Sequence, residues 1–127
     1  MIDSSALIAI LQDEPERAAF VRKLGADRVR LLSAANWLEA AIIVDDRFGE
    51  NGARDLKLFV LEAAIEIVPV TAAQAELARA AYRRFGRGNH PARLNYGDCF
   101  AYALARETGE PLLFKGDDFS RTDIPAA

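Results

Sequence analysis

The sequence predicts a three-layer α/β/α sandwich, in which helices cover both faces of a short-stranded, mostly parallel central sheet. Short apolar or alternating stretches, typical of buried strands, recur along the chain. Longer segments with helical periodicity separate them, and strands that are separated by helices pair in parallel through right-handed crossovers. The chain has 127 residues, of which 51% are hydrophobic and 28% charged. We therefore expect a single domain over residues 1–127 with its own core.

The first quarter of the chain contains two strand patterns and two helix patterns. Residues 2–3 are interpreted as the end of a very short first strand. The next segment, residues 6–12, has apolar side chains at helical spacing and is predicted to be a helix. A second helix is predicted over residues 16–24, with Gly25 at its end. The apolar run at residues 29–32 is predicted to be the second strand.

The middle of the chain is dominated by helical periodicity. Ser33 is suited to cap a helix over residues 34–48, and Gly49 is suited to end it. Asn51 and Gly52 together favour a turn. A further helix is predicted over residues 53–64, so this region should form two separate helices.

The last half of the chain completes the alternation of strands and helices. Residues 65–70 alternate in the manner of a strand, and Thr71 is suited to cap a helix that is predicted over residues 72–85. The stretch 86–95 contains Gly, Asn and Pro and is predicted to be a loop. A helix over residues 96–107 and a buried strand over residues 111–114 follow.

The composition bears on where the protein acts. No apolar run approaches the roughly 20 residues that span a bilayer, so we expect no membrane association. Met1 is followed at once by Ile2 and Asp3, which is unlike a secretory signal. The single cysteine, Cys99, excludes an intrachain disulfide. These features predict a cytoplasmic protein.

One segment, residues 77–97, concentrates positive charge although the formal net charge of the chain is -3. It contains no Asp or Glu, and aromatic rings are interspersed with its arginines. Such rings can stack on unpaired bases, while arginines hold phosphates. The rings belong to Tyr82, Phe85, His90 and Tyr96. The arginines predicted to bind RNA are Arg83, Arg84, Arg87 and Arg93. The alternative is a solvated helix face followed by a mobile loop.

Several acidic residues map to one edge of the predicted sheet. Asp3 ends the first strand, and Asp117 and Asp118 follow the last one. Ligands of open α/β sheets bind outside the carboxyl ends of the strands, which is where these side chains belong. Asp98 falls in the first turn of a helix that begins beside the basic loop. Its alternative role is to stabilise that helix N-terminus.

Glu39 is notable for its apolar neighbours along the predicted helix. A buried carboxylate without a partner costs several kcal/mol, by order of magnitude, unless a cation or a metal ion compensates it. The alternative is a side chain that reaches solvent from the edge of the buried face.

A cluster of carboxylates repels itself unless it binds a cation, and hard oxygen ligands suit Mg²⁺ or Mn²⁺. The chain has one His and one Cys, so it has no His-rich or thiolate metal site, and no Gly-rich phosphate loop follows a strand. A carboxylate pair of the glycosidase type is a weaker interpretation, because three or four acids are present. Oxygen-bound metal beside a basic segment favours hydrolysis of a phosphodiester.

Four stretches, in order along nearly the whole chain, resemble the PIN-domain toxins called VapC. They are residues 2–7, the helix start from Ser33 to Glu39, residues 94–105 and residues 112–119. The resemblance implies a Mg²⁺- or Mn²⁺-dependent endoribonuclease of a type II toxin–antitoxin system. It also implies a VapB-like antitoxin that blocks the active site, a homodimer, and tRNA or ribosomal RNA as substrate.

The resemblance also assigns roles to individual residues. Asp3, Glu39 and Asp98 match the family acids, and Asp3 and Asp98 would be the direct metal ligands. Ser5 matches a position where a hydroxyl supports the site. Many relatives place the fourth acid where this chain has Gly116. Asp117 is therefore the expected fourth acid, and Asp118 is its substitute.

Two rival functions remain open at this point. The first is a metal-dependent phosphohydrolase acting on small molecules, although Asp3 lacks the second acid that haloacid-type phosphatases place two residues later. The second is a non-catalytic module that binds RNA or protein, which would need the arginines but not Glu39 in apolar surroundings. Uptake of Mn²⁺ would distinguish an enzyme from such a module.

Overall fold

The computed structural model describes residues 1–127 and contains a parallel sheet of very short strands. Strand β1, Leu31–Ser33, pairs in parallel with β2, Glu66–Val68. On its other side β1 accepts a hydrogen bond from the Ile2 amide, and Ile2 forms a parallel bridge with Leu113. The neighbouring Leu112 bridges to Ala126 at the edge. The predicted fold class is confirmed, but the first and last strands shrink to single bridges.

Five α-helices and a 3₁₀ turn surround this sheet. They are α1 (Ser4–Leu11), α2 (Arg17–Ala26), α3 (Ala34–Glu62), α4 (Ala72–Phe85), α5 (Tyr96–Thr108) and the 3₁₀ turn Phe119–Arg121. Three helix ends are capped by residues of the usual types. The side chains of Ser33 and Thr71 accept hydrogen bonds from backbone amides at the starts of α3 and α4, and Gly109 adopts a left-handed conformation after α5. None of these helices is both long enough and apolar enough to cross a membrane.

Two predicted helix ends are wrong. Helix α1 begins at Ser4, because the Asp3 side chain accepts a hydrogen bond from the Ser5 amide and so caps the helix. Gly25 does not end α2 but lies inside it, and the helix ends where Asp27 adopts an extended backbone. A glycine ends a helix readily only when it takes a left-handed conformation, which Gly25 does not.

Helix α3 is interrupted once, at Gly49, whose φ of 62° and ψ of −147° break the helical path. The predicted turn at Asn51 and Gly52 is wrong, because both residues are helical. A glycine is needed at position 52 because the neighbouring side chains leave no room for a larger residue. A Cβ atom there would lie 2.5 Å from the Cβ of Phe48 and 2.9 Å from Cγ1 of Val44.

Two hydrophobic clusters lie on opposite faces of the sheet. Successive strand residues point to opposite faces, and accordingly Met1 and Leu112 join one cluster whereas Ile2 and Leu113 join the other. The first cluster contains the buried faces of α4 and α5, and the second contains those of α1, α2 and α3. The carboxyl ends of the central segments, at Asp3 and beyond Leu113, therefore open at one edge between the two layers.

Candidate active site

Asp3 lies at the carboxyl end of the first sheet segment and is 2% exposed. Its Oδ2 accepts hydrogen bonds from the Ser5 amide at 3.0 Å and from Ser5 Oγ at 2.6 Å. Ser5 Oγ in turn accepts from the Lys115 amide at 3.0 Å, which ties the loop after the last strand to this carboxylate. Asp3 Oδ1 is buried and has no hydrogen-bond partner. One oxygen of Asp3 is thus anchored, and the other is left for a ligand.

The electrostatic setting of Asp3 disfavours its charge. Burial raises its pKa to about 6, the hydrogen bonds from Ser5 oppose this, and the nearby charge of Glu39 adds to it. A cation beside the carboxylate would offset these effects.

Asp98 lies in the first turn of α5 and lines the same cleft as Asp3. It forms a reciprocal capping box with Asn95: Asp98 Oδ2 accepts from the Asn95 amide at 3.0 Å, and Asn95 Oδ1 accepts from the Asp98 amide at 2.9 Å. Burial raises the pKa of Asp98 to about 7 against the effect of this hydrogen bond. The charges of Asp3, Asp118 and Glu39 contribute to this raised pKa. The same side chain therefore caps α5 and lines the cleft with the other acids.

Glu39 enters the same site from α3 and is half-buried. Its Oε1 accepts a hydrogen bond from Ser4 Oγ and a long one, at 3.4 Å, from Asn36 Nδ2. The fully buried Asn36 also donates to the Gly97 carbonyl at 2.9 Å, which joins α3 to the start of α5. A Cβ atom on Gly97 would lie only 2.2 Å from Glu39 Oε2. Sequence reasoning missed Ser4, Asn36 and Gly97, since none carries a charge and their roles depend on helix packing.

The two candidates for the fourth acid occupy different places. Asp118 lines the cleft with Asp3, Glu39 and Asp98, and its charge raises the pKa of Asp98. Asp117 is exposed and does not line this cleft. The structure thus gathers three of the four expected acids and places the substitute, Asp118, beside them.

Cations also border this cleft, whose volume is about 400 Å³. Lys115 is paired with Glu14 and lies 3.4 Å from Glu16, so its charge is already compensated. Arg47 of α3 lines the cleft without an ion pair. The sequence alone assigned no role to Arg47, and only its position in the folded chain links it to the acids.

The acids fit a hard divalent cation that is held by few protein ligands. No group of three or more His, Cys, Asp or Glu side chains is arranged to hold a metal ion by itself. Mg²⁺, however, keeps several of its waters and is commonly bound through one or two carboxylates. Asp3 offers a buried oxygen without a partner, and Asp98 is the acid whose pKa is raised by the charge of Asp3. This donor set is suitable for Mg²⁺ or Mn²⁺.

The predicted RNA-binding arginines are divided between the exposed loop and two depressions that share Arg79. Arg87 is exposed and lines a groove between α4 and α5. Arg83 lines a separate depression, and Arg93 is exposed in the loop, with φ of 56°. Arg84 Nη1 contacts Asp123 at 3.2 Å, and its guanidinium lies 4.7 Å from the Phe85 ring centroid.

Two of the four aromatic residues in the basic segment are unsuited to stacking on RNA bases. Phe85 is 4% exposed and packs edge-on against His90, with ring centroids 5.1 Å apart. These rings hold the basic loop on the core. Tyr82 and Tyr96 remain accessible, with 42% and 81% exposure.

Comparison with known proteins agrees with this geometry. Residues 1–125 match the family model described as PIN domain. The chain is 54% identical over 124 residues to Ribonuclease VapC30 of Mycobacterium tuberculosis, covering 98% of this chain and 95% of that protein. It is 52% identical over 126 residues to Ribonuclease VapC of Mycolicibacterium smegmatis, covering 99% and 98%.

A solved structure shares the fold. It is that of Mycobacterium tuberculosis VapC20, described as a Sarcin-Ricin loop cleaving toxin, with a TM-score of 0.79 and 19% identity over 99% of this chain and 96% of that one. At this identity the likeness supports the fold alone.

The sheet, the acids at its edge and these matches define a nuclease of the PIN type. The chain belongs to the PIN domain family, and within it to the VapC ribonucleases. The resemblance predicted from sequence is confirmed, and so is the prediction of an enzyme. The rival interpretations, a non-catalytic binding module and a small-molecule phosphohydrolase, are set aside.

Proposed function

We propose that this ribonuclease is a Mg²⁺- or Mn²⁺-dependent endoribonuclease that acts as the toxin of a type II toxin–antitoxin pair. The observation that carries the proposal is the convergence of Asp3 and Asp98, from a sheet end and a helix start, with Glu39 and Asp118 around them. A fifth carboxylate of the cleft, Glu14, is paired with Lys115, whereas these four need a further cation to offset their repulsion. The proposal includes a cytoplasmic location, because the proposed substrates, tRNA and ribosomal RNA, are found there.

Each acid has a distinct task in this proposal. Asp3, through its free Oδ1, and Asp98 would hold the metal ion, while Ser5 fixes the other oxygen of Asp3. Glu39 is oriented by Ser4 and would hold or receive a proton from the attacking water. When bound, such an ion lowers the pKa of water and stabilises charge on the phosphate.

The remaining residues of the cleft complete the proposed site. Asp118 takes the place first expected of Asp117, because only Asp118 lines the cleft. Arg47 carries no ion pair and would hold a phosphate of the RNA at the cleft wall.

The direct test is cleavage of RNA by the purified chain with Mg²⁺, with Mn²⁺ and with EDTA. We expect cleavage with either ion and none with EDTA, and loss of cleavage in Asp3→Asn and Asp98→Asn variants that keep a native circular dichroism spectrum. Sequencing the ends of cleaved tRNA and ribosomal RNA identifies the substrate. Full activity of either variant, or in EDTA, would contradict the proposal.

A VapB-like antitoxin is the proposed partner, since relatives carry the VapC name and the cleft is acidic. A basic side chain of such a partner would compensate the carboxylates in place of the metal ion. Coexpression with the product of the neighbouring gene should then abolish RNA cleavage, and the two proteins should copurify. Toxicity that is unchanged by coexpression would argue against this partner.

A homodimer is also proposed, and the early helices, although apolar, do not supply its interface. The apolar residues of α1, such as Leu7 and Ile10, are fully buried in the monomer core. Leu38 and Ile42 of α3 are instead 55% and 52% exposed and line an apolar depression with α5. Sedimentation should report a dimer that Leu38→Ser converts to a monomer, and a monomeric wild-type chain would contradict this.

A further inference from the structure

A groove of about 590 Å³ lies between α4 and α5 beside the acidic cleft. Its floor is formed by small side chains, including the buried Ala78 and Cys99. Asn95 lines both the groove and the cleft, and its amide is bonded to Asp98. The groove therefore borders the proposed metal site, with Asn95 between them.

An ordered aromatic ring forms one wall of the groove. The Tyr82 hydroxyl donates a long hydrogen bond, at 3.4 Å, to the Arg87 carbonyl. Gly86 packs beneath the ring so closely that a Cβ atom there would lie 2.9 Å from two ring carbons. Because the ring is held in place while 42% of the residue stays exposed, a planar ligand could stack on it at low entropic cost. Tyr96 and Phe100 line the groove on the α5 side.

The charge of the groove is positive. Arg79 and Arg87 line it, and no acidic residue does. Arg87 has no carboxylate partner, and Arg79 makes only an exposed contact with Glu76 at 3.9 Å. Exposed pairs of this kind contribute little, so both guanidinium groups are available to an anion.

We infer that this groove binds an unpaired nucleotide of the RNA next to the phosphate that is cut, with its base against Tyr82 and its phosphates beside Arg79 and Arg87. The inference rests on the proposed ribonuclease function and adds a subsite to it. Aromatic side chains with flanking arginines are the usual arrangement for binding single-stranded nucleic acid. Because the groove and the cleft share Asn95, a nucleotide in the groove would lie next to the acids.

Charge complementarity favours RNA over a second copy of this chain as the occupant. An apolar helix of a protein partner would leave Arg79 and Arg87 without anionic partners, whereas an RNA strand supplies phosphates to both. The depression at Leu38 and Ile42 is the more apolar surface and serves the proposed dimer instead.

The test uses a hairpin RNA with a randomised loop, from which the best-cleaved sequence is chosen. We expect Tyr82→Ala to raise KM about tenfold with kcat changed by less than about twofold, because lost stacking weakens binding rather than chemistry. Tyr82→Phe should retain most of the affinity. Arg87→Ala should raise KM in a salt-dependent manner. Arg22→Ala, which removes the same charge from an exposed position of α2 that lines neither the groove nor the cleft, is the matched control and should have a smaller effect.

An abasic substitution in the loop identifies the nucleotide. Removing the base beside the cut should raise KM for the wild-type chain but have no further effect in Tyr82→Ala. If the wild-type enzyme is active and KM is unchanged in both Tyr82→Ala and Arg87→Ala, the inferred role of the groove is wrong, whereas the proposed ribonuclease function stands. A changed sedimentation mass of Tyr82→Ala with unchanged KM would assign the groove to a second copy and overturn the inference. Absence of metal-dependent cleavage by the wild-type chain would instead refute the proposed function.

Discussion

Gly97 lies against the carboxylate of Glu39, so closely that a Cβ atom on Gly97 would be 2.2 Å from Oε2 and 2.9 Å from Oε1. Asn36 holds the two helices at this distance through its bond to the Gly97 carbonyl. The glycine is needed for space, since it lies within helix α5 and has no positive φ. Two helices far apart in sequence thus fix the position of one acid of the site.

Gly97→Ala should therefore impair catalysis through Glu39. We expect kcat for RNA cleavage to fall about 100-fold, because a displacement of about 1 Å at an active site has effects of this size. Steady-state cleavage of the hairpin RNA measures this.

Gly25→Ala is the matched control for that variant. Gly25 is also helical, has nothing within 4 Å of an added Cβ atom, and should gain about 0.5–1 kcal/mol of stability with unchanged kcat. Equal activity of the Gly97 and Gly25 variants would show that Glu39 tolerates the shift.

Asp3→Asn should stabilise the metal-free protein at high pH. The pKa of Asp3 is raised from 3.8 to about 6, so the folded state holds a proton that the unfolded state has lost, and stability falls as pH rises through this window. In EDTA at pH 8 we expect the variant to gain up to about 3 kcal/mol, whereas at pH 4 the difference should nearly vanish. Asn is also a good helix cap, so the start of α1 should persist.

Urea denaturation in EDTA at several pH values measures this effect. Asp117→Asn, at an exposed position outside the cleft, is the control and should change stability by less than about 0.5 kcal/mol. A loss of stability in Asp3→Asn at pH 8 would mean that burial does not penalise the Asp3 charge.

Mg²⁺ or Mn²⁺ should raise the Tm of the wild-type chain. An ion at 100 times its Kd stabilises the folded state by about 2.7 kcal/mol if it does not bind the unfolded state. This corresponds to a rise in Tm of roughly 5–20 °C for domains of this size range. Differential scanning fluorimetry detects such a change. Asp98→Asn should abolish most of the rise, and an equal rise in that variant would place the ion elsewhere.

Asp118→Asn and Asp117→Asn should differ in activity. Asp118 lines the cleft and its charge raises the pKa of Asp98, so its loss should lower the pKa of Asp98 and reduce kcat about tenfold or more. Asp117→Asn should leave kcat within about twofold. NMR titration of Asp98 and cleavage kinetics measure the two effects, and the reverse order of the variants would restore Asp117 as the fourth acid.

Local sequence patterns predicted most of the helices but misjudged several of their ends. Thr71 and Ser33 cap helices as expected, because a hydroxyl oxygen at the N-cap position accepts a hydrogen bond from a free backbone amide of the first helical turn. Gly25 and Gly52 misled the prediction, since a glycine can mark a helix end or merely lie inside a helix. The choice depends on backbone conformation and on neighbours from the rest of the fold.

The chain by itself determined the fold class, the family and the nature of the site, because alternating strands and helices, Asp3 at a strand end and Asp98 at a helix start are local features. Only the tertiary structure decided which groups meet there. Asp118 lines the cleft, Asn36 holds Glu39 close to Gly97, and Arg87 lines a groove that Asn95 joins to the acids. These contacts depend on distances of a few ångströms between elements far apart in sequence, and such distances are set by side-chain packing, which residue spacing does not encode.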